Sequence, residues 1–183
     1  MNGWVAAVLS LLVVVNPVGV SRAVAWPDRT ASSWRREVST IVGAAILALV
    51  TLGLLTAPLL DLADLTTPTF RLAAALLIGL TGAVWMIAPT SPVESLDDHS
   101  SARVTLGLTM LLTPGPVFAA MAANGDGGAA AGVVSVIIAM GATLVLLVAR
   151  RLPEPVAIWA TRFIGALTIV VAVGIGINAA RTV

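Results

Sequence analysis

Asn16-Pro17-Val18-Gly19 interrupts the apolar run from Trp4 to Trp26, and Thr113-Pro114-Gly115-Pro116 interrupts the one from Val104 to Ala123. Each is a helix-breaking sequence inside a stretch long enough to cross a bilayer, whose hydrocarbon takes about 20 apolar residues to span. Pro17 cannot donate to the carbonyl of Val13, Pro114 to that of Met110, or Pro116 to that of Leu112, so both helices free backbone groups at membrane depth. Hydrocarbon cannot satisfy them. They must be met by neighbouring helices, by side chains such as Asn16 and Thr113, by water or by a bound solute, and broken helices whose half-ends meet a cavity are how transporters build their sites. For either break alone the competing reading is a structural kink, because Pro and Gly are common in membrane helices. Two breaks at equivalent places favour a site.

The rest of the chain agrees with a membrane setting. Of 183 residues, 58% are hydrophobic and 10% charged, and the mean hydropathy is +1.03, against roughly 45–50% apolar residues in a soluble domain. Besides the two interrupted stretches, apolar runs cover Val38–Leu60, Phe70–Ala88, Ala129–Ala149 and Pro155–Ala180, giving six candidate spans and no room for a soluble catalytic domain. Trp4, Trp26, Trp34, Trp85 and Trp159 all fall near span ends, where an indole prefers the headgroup region. A signal peptide ending at Ala23-Val24-Ala25 is disfavoured, since no basic segment precedes the first run and Asn16-Pro17 breaks it. There is no cysteine and no lysine, which excludes disulfides, thiol chemistry, cysteine zinc sites and an ATP-binding P-loop.

Arginines set the orientation, because basic residues near span ends are retained in the cytoplasm. With the N-terminus outside, the cytoplasmic segments hold Arg22, Arg29, Arg35, Arg36, Arg103, Arg150, Arg151 and Arg162, and the outer ones only Arg71 and Arg181. Both termini are therefore expected outside.

The halves of the chain resemble each other. Asn16–Ala25 aligned with Thr113–Ala122 gives four identities in ten positions, and Arg71–Ile78 aligned with Arg162–Ile169 shares the arginine, an alanine, a leucine and an isoleucine. The common order is a Pro/Gly break in the first span and an arginine opening the third. Three spans per half is an odd number, so the second half must lie inverted. The expected architecture is an all-α integral membrane protein of six transmembrane helices, a 3+3 inverted repeat with broken first and fourth helices. It forms a single transmembrane domain over residues 1–183, with repeat one at 1–92, a cytoplasmic linker at 93–103 and repeat two at 104–183.

The candidate solute-binding residues are Asn16, Pro17, Gly19, Thr113, Pro114 and Gly115 at the breaks, together with Arg71 and Arg162. Both arginines lie close enough to span ends to act as snorkelling anchors instead. Arg71 stands out, because it sits on the expected outer side against the charge rule and so needs a packing or binding reason. The carboxylates Asp28, Glu37, Asp61, Asp64, Glu94, Asp97, Asp98, Asp126 and Glu154 all fall in connections or at span edges, leaving no obvious proton relay. The single histidine, His99, follows Asp97-Asp98 in a loop, without enough ligands nearby for a metal. No nucleophile is paired with a membrane-embedded base, so an enzyme is not expected, and neither is a metal or cofactor.

Asn-Pro-x-Gly at Asn16–Gly19, an aromatic-Arg-x-Ala at Phe70-Arg71-Leu72-Ala73, Pro-Gly at Pro114-Gly115, and the closing Arg162-Phe163-Ile164-Gly165 and Gly174-Ile175-Gly176 together resemble the MarC family of bacterial inner-membrane proteins. That family is grouped with the LysE-type exporters, and some relatives are described as neutral amino acid transporters. The chain resembles a divergent member: Val20 and Arg22 stand where the family usually has Asn and Pro, and Thr113-Pro114-Gly115-Pro116 replaces the usual Gly-Pro-Gly. The resemblance implies a multi-pass protein of the bacterial plasma membrane. The expected function is secondary transport or export of a small neutral solute, amino acids being one class. The alternative is a non-transporting membrane subunit or scaffold that assists a partner protein. Its partners are then a small-molecule solute and the lipid bilayer, with no nucleic acid and with homo-oligomerisation left open.

Overall fold

Pro17 and Pro114 each occupy the first position of a helix, where a missing N–H costs nothing and the fixed φ suits helix entry. The computed structural model describes residues 3–23, 32–88, 100–148 and 152–182, and these are helical with no strand among them: α1 Gly3–Val15, α2 Pro17–Ala23, α3 Ser32–Leu54, α4 Thr56–Leu62, α5 Thr67–Ile87, α6 Ser100–Leu111, α7 Pro114–Val148 and α8 Glu154–Ala180. Five stretches are long and apolar enough to cross a membrane, Val5–Arg22, Trp34–Leu54, Thr67–Ile87, Gly128–Val148 and Glu154–Ala180. Val104–Leu111 with Pro114–Asn124, bent by 49°, makes a sixth if the pair is one span. The end of the first apolar run at Val24–Trp26, the linker from 93 to 99 and the Asp97-Asp98-His99 loop lie outside the described residues.

Several boundaries differ from the hydropathy reading, among them the end of the second span, which closes at Leu54 rather than Leu60 and is followed by the separate α4. The second span opens at Trp34 rather than Val38, so Glu37 lies inside it and is buried, at 8% exposure. Arg35 and Arg36 beside it remain exposed. The third span begins three residues before Phe70, because Thr66 caps the helix through its hydroxyl, which accepts from the Thr69 N–H at 3.4 Å, and Pro68 fits its first turn.

Close approaches between helices give their directions. Gly107 lies against Ile41, where an added Cβ would meet the Ile41 side chain at 2.8 Å, and Gly53 lies against the Ala120 carbonyl at 3.5 Å by the same measure. Twelve residues along α3 therefore match thirteen along the bent pair, in the same sense on both sides of the bend. That is about 18 Å of shared path at 1.5 Å per residue. α5 and α8 instead run antiparallel: Gly82 faces Gly165, Gly79 faces Ala172 and Ala75 faces Gly176. A Cβ on Gly82 would sit 2.7 Å from the Gly165 carbonyl, and one on Gly165 2.8 Å from the Gly82 carbonyl, so the two backbones touch as small-residue helix pairs in membranes do.

α7 turns back on itself at Gly128, whose φ of 76° and ψ of 170° only glycine adopts readily. The turn brings Asn124 over Gly132, and the Asn124 amide donates to the Gly53 carbonyl, tying this hairpin to the end of α3. The interior is filled by Leu11, Val14, Ile41, Leu49, Ile78, Leu111 and Met140. Outward faces are apolar as well: Leu76 is 77% exposed and Ile87 82%, an arrangement suited to lipid and costly in water. On α5 the buried positions are Phe70, Ala74, Ala75, Ile78 and Gly82. Small side chains thus face neighbouring helices while leucines face outward.

Candidate functional site

The candidate residues fall into three places. The first is the pair of breaks. Asn16 separates α1 from α2 with a left-handed φ of 47°, a conformation asparagine tolerates better than most residues. Its side-chain oxygen accepts the Gly19 N–H at 3.0 Å, capping the restarted helix with Pro17 at its first position. A Cβ on Gly19 would lie 2.7 Å from the Asn16 amide nitrogen, so the Asn-Pro-x-Gly spacing is what lets the asparagine side chain fold over its own helix. Asn16 is 1% exposed, and its amide nitrogen is buried without a hydrogen-bond partner among the described residues. An unmatched buried donor costs about 1–3 kcal/mol.

Most of the freed carbonyls have partners within the protein. The Val13 carbonyl accepts the Asn16 N–H at 3.2 Å and, from the other end of the chain, the Thr168 hydroxyl at 3.4 Å. That hydroxyl is shared with the Ile164 carbonyl at 2.8 Å. The Thr113 hydroxyl donates back to the Met110 carbonyl at 3.3 Å. Asn16 thus caps forward and Thr113 backward. The breaks adjoin: a Cβ on Gly115 would meet Val14 of α1 at 3.2 Å and the Thr81 hydroxyl of α5 at 3.1 Å. Gly82 next to Thr81 lies against Thr168, so α1, α5, α7 and α8 converge here.

The second place is a cavity of about 270 Å³ at one end of the bundle. It is bounded by the end of α3 and by α4 (Leu54, Thr56, Leu60), by the start of α5 (Thr67, Phe70, Arg71), and by the α7 hairpin (Met121, Asn124, Ala129). Arg71 therefore lines a cavity, which supplies the packing or binding reason that its sequence position calls for. It is half-buried. Ten residues separate Arg71 from Thr81, so the cavity lies about 15 Å along α5 from the adjoining breaks. Asn16, Pro17, Gly19, Thr113, Pro114 and Gly115 do not line it.

Arg162 occupies the third place, outside both. It is exposed on α8, with its guanidinium 5.8 Å from the ring centroid of Trp159, itself 70% exposed. A cation over an outward-facing indole is the geometry of an interfacial anchor. The two arginines aligned between the halves thus have different surroundings.

Thr81, Thr168 and Asn124 were not singled out by the sequence reading. Each carries a visible signal, a polar side chain inside or at the end of an apolar stretch. Threonines, however, can satisfy themselves on their own helix, as Thr81 does on the Leu77 carbonyl at 2.8 Å. Nothing local distinguishes those that also reach a neighbour. Among the described residues no group of three or more His, Cys, Asp or Glu side chains could hold a metal ion. No protein-family model matches the chain, and no curated protein and no solved structure matches it.

Proposed function

We propose that this protein is a secondary transporter or exporter of a small neutral solute, amino acids being the first class to test. The reading places it in a bacterial plasma membrane with six crossings, a 3+3 inverted repeat and both termini outside. The observation that carries it is the apposition of the breaks: Val14 beside Gly115, with the Asn16 amide nitrogen buried and unmatched next to them. A buried donor at a broken helix is what a solute oxygen or a water would engage. The inverted repeat is supported by Pro17 and Pro114 opening their helices at aligned positions and by the antiparallel run of α5 on α8, the relation inversion requires of two third spans. In this reading Asn16, Pro17, Gly19, Thr113, Pro114 and Gly115 shape the central site. Arg71 acts at the cavity, and Arg162 holds its helix at the interface. The resemblance of the Asn16–Gly19 and Phe70–Ala73 motifs to the MarC family points the same way.

A scaffold that assists a partner protein is the second reading, favoured by one observation: the Val13 and Met110 carbonyls are already accepting from Thr168 and Thr113, so they do not require a solute. Efflux of labelled neutral amino acids from proteoliposomes, compared with the Asn16→Leu variant, separates the two. Saturable flux lost in a folded variant establishes transport. Absence of flux from folded wild-type protein across the panel supports the scaffold. A reporter active only in the cytoplasm, fused after Val183, is expected to stay dark, and a signal there overturns the orientation.

A further inference from the structure

The cavity at the Arg71 end has a definite size and lining. A cavity of about 150 Å³ accommodates benzene, so 270 Å³ admits a molecule of about ten non-hydrogen atoms. That is below the usual volume of pockets for drug-sized ligands, about 300–1,000 Å³. Arg71 is the one formally charged residue lining it among the described residues, in company with the Thr67 hydroxyl and the apolar surfaces of Leu60, Phe70 and Met121. A guanidinium stays protonated at any physiological pH and presents five N–H donors in a planar fork that matches a carboxylate bidentately. With five donors it can take a carboxylate in addition to contacts within the protein. The hydrophobic part of the lining calls for an aliphatic remainder. A cation is disfavoured, because it would sit beside Arg71 in a partly desolvated space.

We propose that this cavity is a binding site for a small aliphatic carboxylate of up to about ten non-hydrogen atoms, with Arg71 holding the carboxylate and Leu60, Phe70 and Met121 the hydrocarbon. The carboxylate belongs either to a branched amino acid or to the corresponding simple acid. For a zwitterionic amino acid the proposal deepens the transport reading by naming its solute class, whereas a simple acid would replace the neutral solute of that reading by an anion. In either case the proposal rests on the transport reading only for passage of the ligand, not for binding. The Asn124 amide, which donates to the Gly53 carbonyl, ties the α7 hairpin to the end of α3 where the two line the cavity.

The test is thermal unfolding of the full-length protein in lipid nanodiscs with leucine, 4-methylpentanoate or 4-methylpentylamine, which share a branched hydrocarbon and differ in charge. At least one of the two carboxylates is expected to raise the melting temperature in a saturable way, and the amine is expected not to. Stabilisation by both assigns recognition to the carboxylate and tail. Stabilisation by leucine alone assigns it to the amino acid, and by 4-methylpentanoate alone to the simple acid. Arg71→Gln is expected to weaken binding about tenfold or more, with Arg71→Lys falling between, because the bidentate geometry is lost while the charge remains. Ala57→Phe, at an exposed position lining the cavity, takes up space in it while leaving Arg71 in the chain and is expected to abolish the shift in a folded protein. Equal stabilisation by the amine, no stabilisation by any of the three, or a shift that survives both Arg71→Gln and Ala57→Phe overturns the site. Binding without flux in proteoliposomes leaves the site standing and overturns transport. Flux from protein that is stabilised by none of the three ligands leaves transport standing and overturns the site.

Discussion

The Phe70 ring packs on Phe118 with centroids 5.6 Å apart and planes inclined at 31°. Phe70 lines the Arg71 cavity, and Phe118 lies three residues beyond Gly115 at the fourth-span break. The pair therefore links the lining of the cavity to the segment of α7 just past the break. In the transport reading we take this contact as the barrier that a solute passing between the cavity and the breaks displaces. Phe118→Ala is expected to raise flux several-fold at the expense of stability by about 2 kcal/mol, below the ~3–5 kcal/mol of a fully buried phenylalanine because Phe118 is only half-buried. A double-mutant cycle with Phe70→Ala should return a coupling of about 0.5–1.5 kcal/mol. A lower flux in Phe118→Ala, with the protein folded, would remove the barrier role.

Asn16 offers a way to separate backbone from amide. Asn16→Gly keeps the left-handed φ at little cost but removes both the cap on the Gly19 N–H and the unmatched amide nitrogen. Expected is a loss of no more than a few tenths of a kcal/mol from the missing cap, offset by removal of the unmatched donor, together with loss of transport. Gly19→Ala should reproduce the transport defect with Asn16 intact, since its Cβ would come 2.7 Å from the amide nitrogen and push the side chain away. Flux and thermal unfolding measured on both variants check this. Wild-type flux in Gly19→Ala would remove the Asn16 amide from the site.

How much of this was legible in the sequence follows from the range of the forces involved. The spans were readable because each is a local property of about 20 residues, and the breaks because a proline acts on its own helix. The start of the second span is not legible because hydropathy counts Glu37 as a boundary, whereas the fold buries it along with Trp34 and Val38. Arg71 stands out in the sequence by the side of the membrane that the arginine count expects for it, yet its cavity needs α3, α4 and α7 to arrive from distant parts of the chain. Arg162 looked equivalent by alignment, and only the outward face of α8 distinguishes it. The contact of Thr168 with the Val13 carbonyl joins residues 155 apart and leaves no trace in a pattern of spacings.

Glu37 is the one buried carboxylate among the described residues, and it lies near the start of the second span. If flux is driven by a proton gradient, Glu37 is the residue placed to carry the coupling, since ionisable groups within membrane spans mark such relays. Glu37→Gln keeps the shape and removes the carboxylate. Uptake driven by an imposed pH gradient is then expected to fall to the rate seen without a gradient, while exchange at equal pH persists. Retention of gradient-driven uptake in the variant would exclude Glu37 from coupling.

The α5–α8 contact makes a prediction about stability that is independent of function. At Gly82 an added Cβ would lie 2.7 Å from the Gly165 carbonyl oxygen, and at Gly165 one would lie 2.8 Å from the Gly82 carbonyl. Backbone cannot yield as a side-chain end can, so Gly82→Ala must push the helices apart, at an expected cost of about 1–3 kcal/mol. Gly43 and Gly141 have no atom within 4 Å of the same position. There Ala should be neutral or stabilising by up to about 1 kcal/mol, because glycine is the poorer helix former. Thermal unfolding of the three variants in one lipid checks both signs together. If Gly82→Ala were as stable as Gly43→Ala, the close antiparallel packing of α5 on α8 would be wrong, and with it the relation between third spans that supports the inverted repeat.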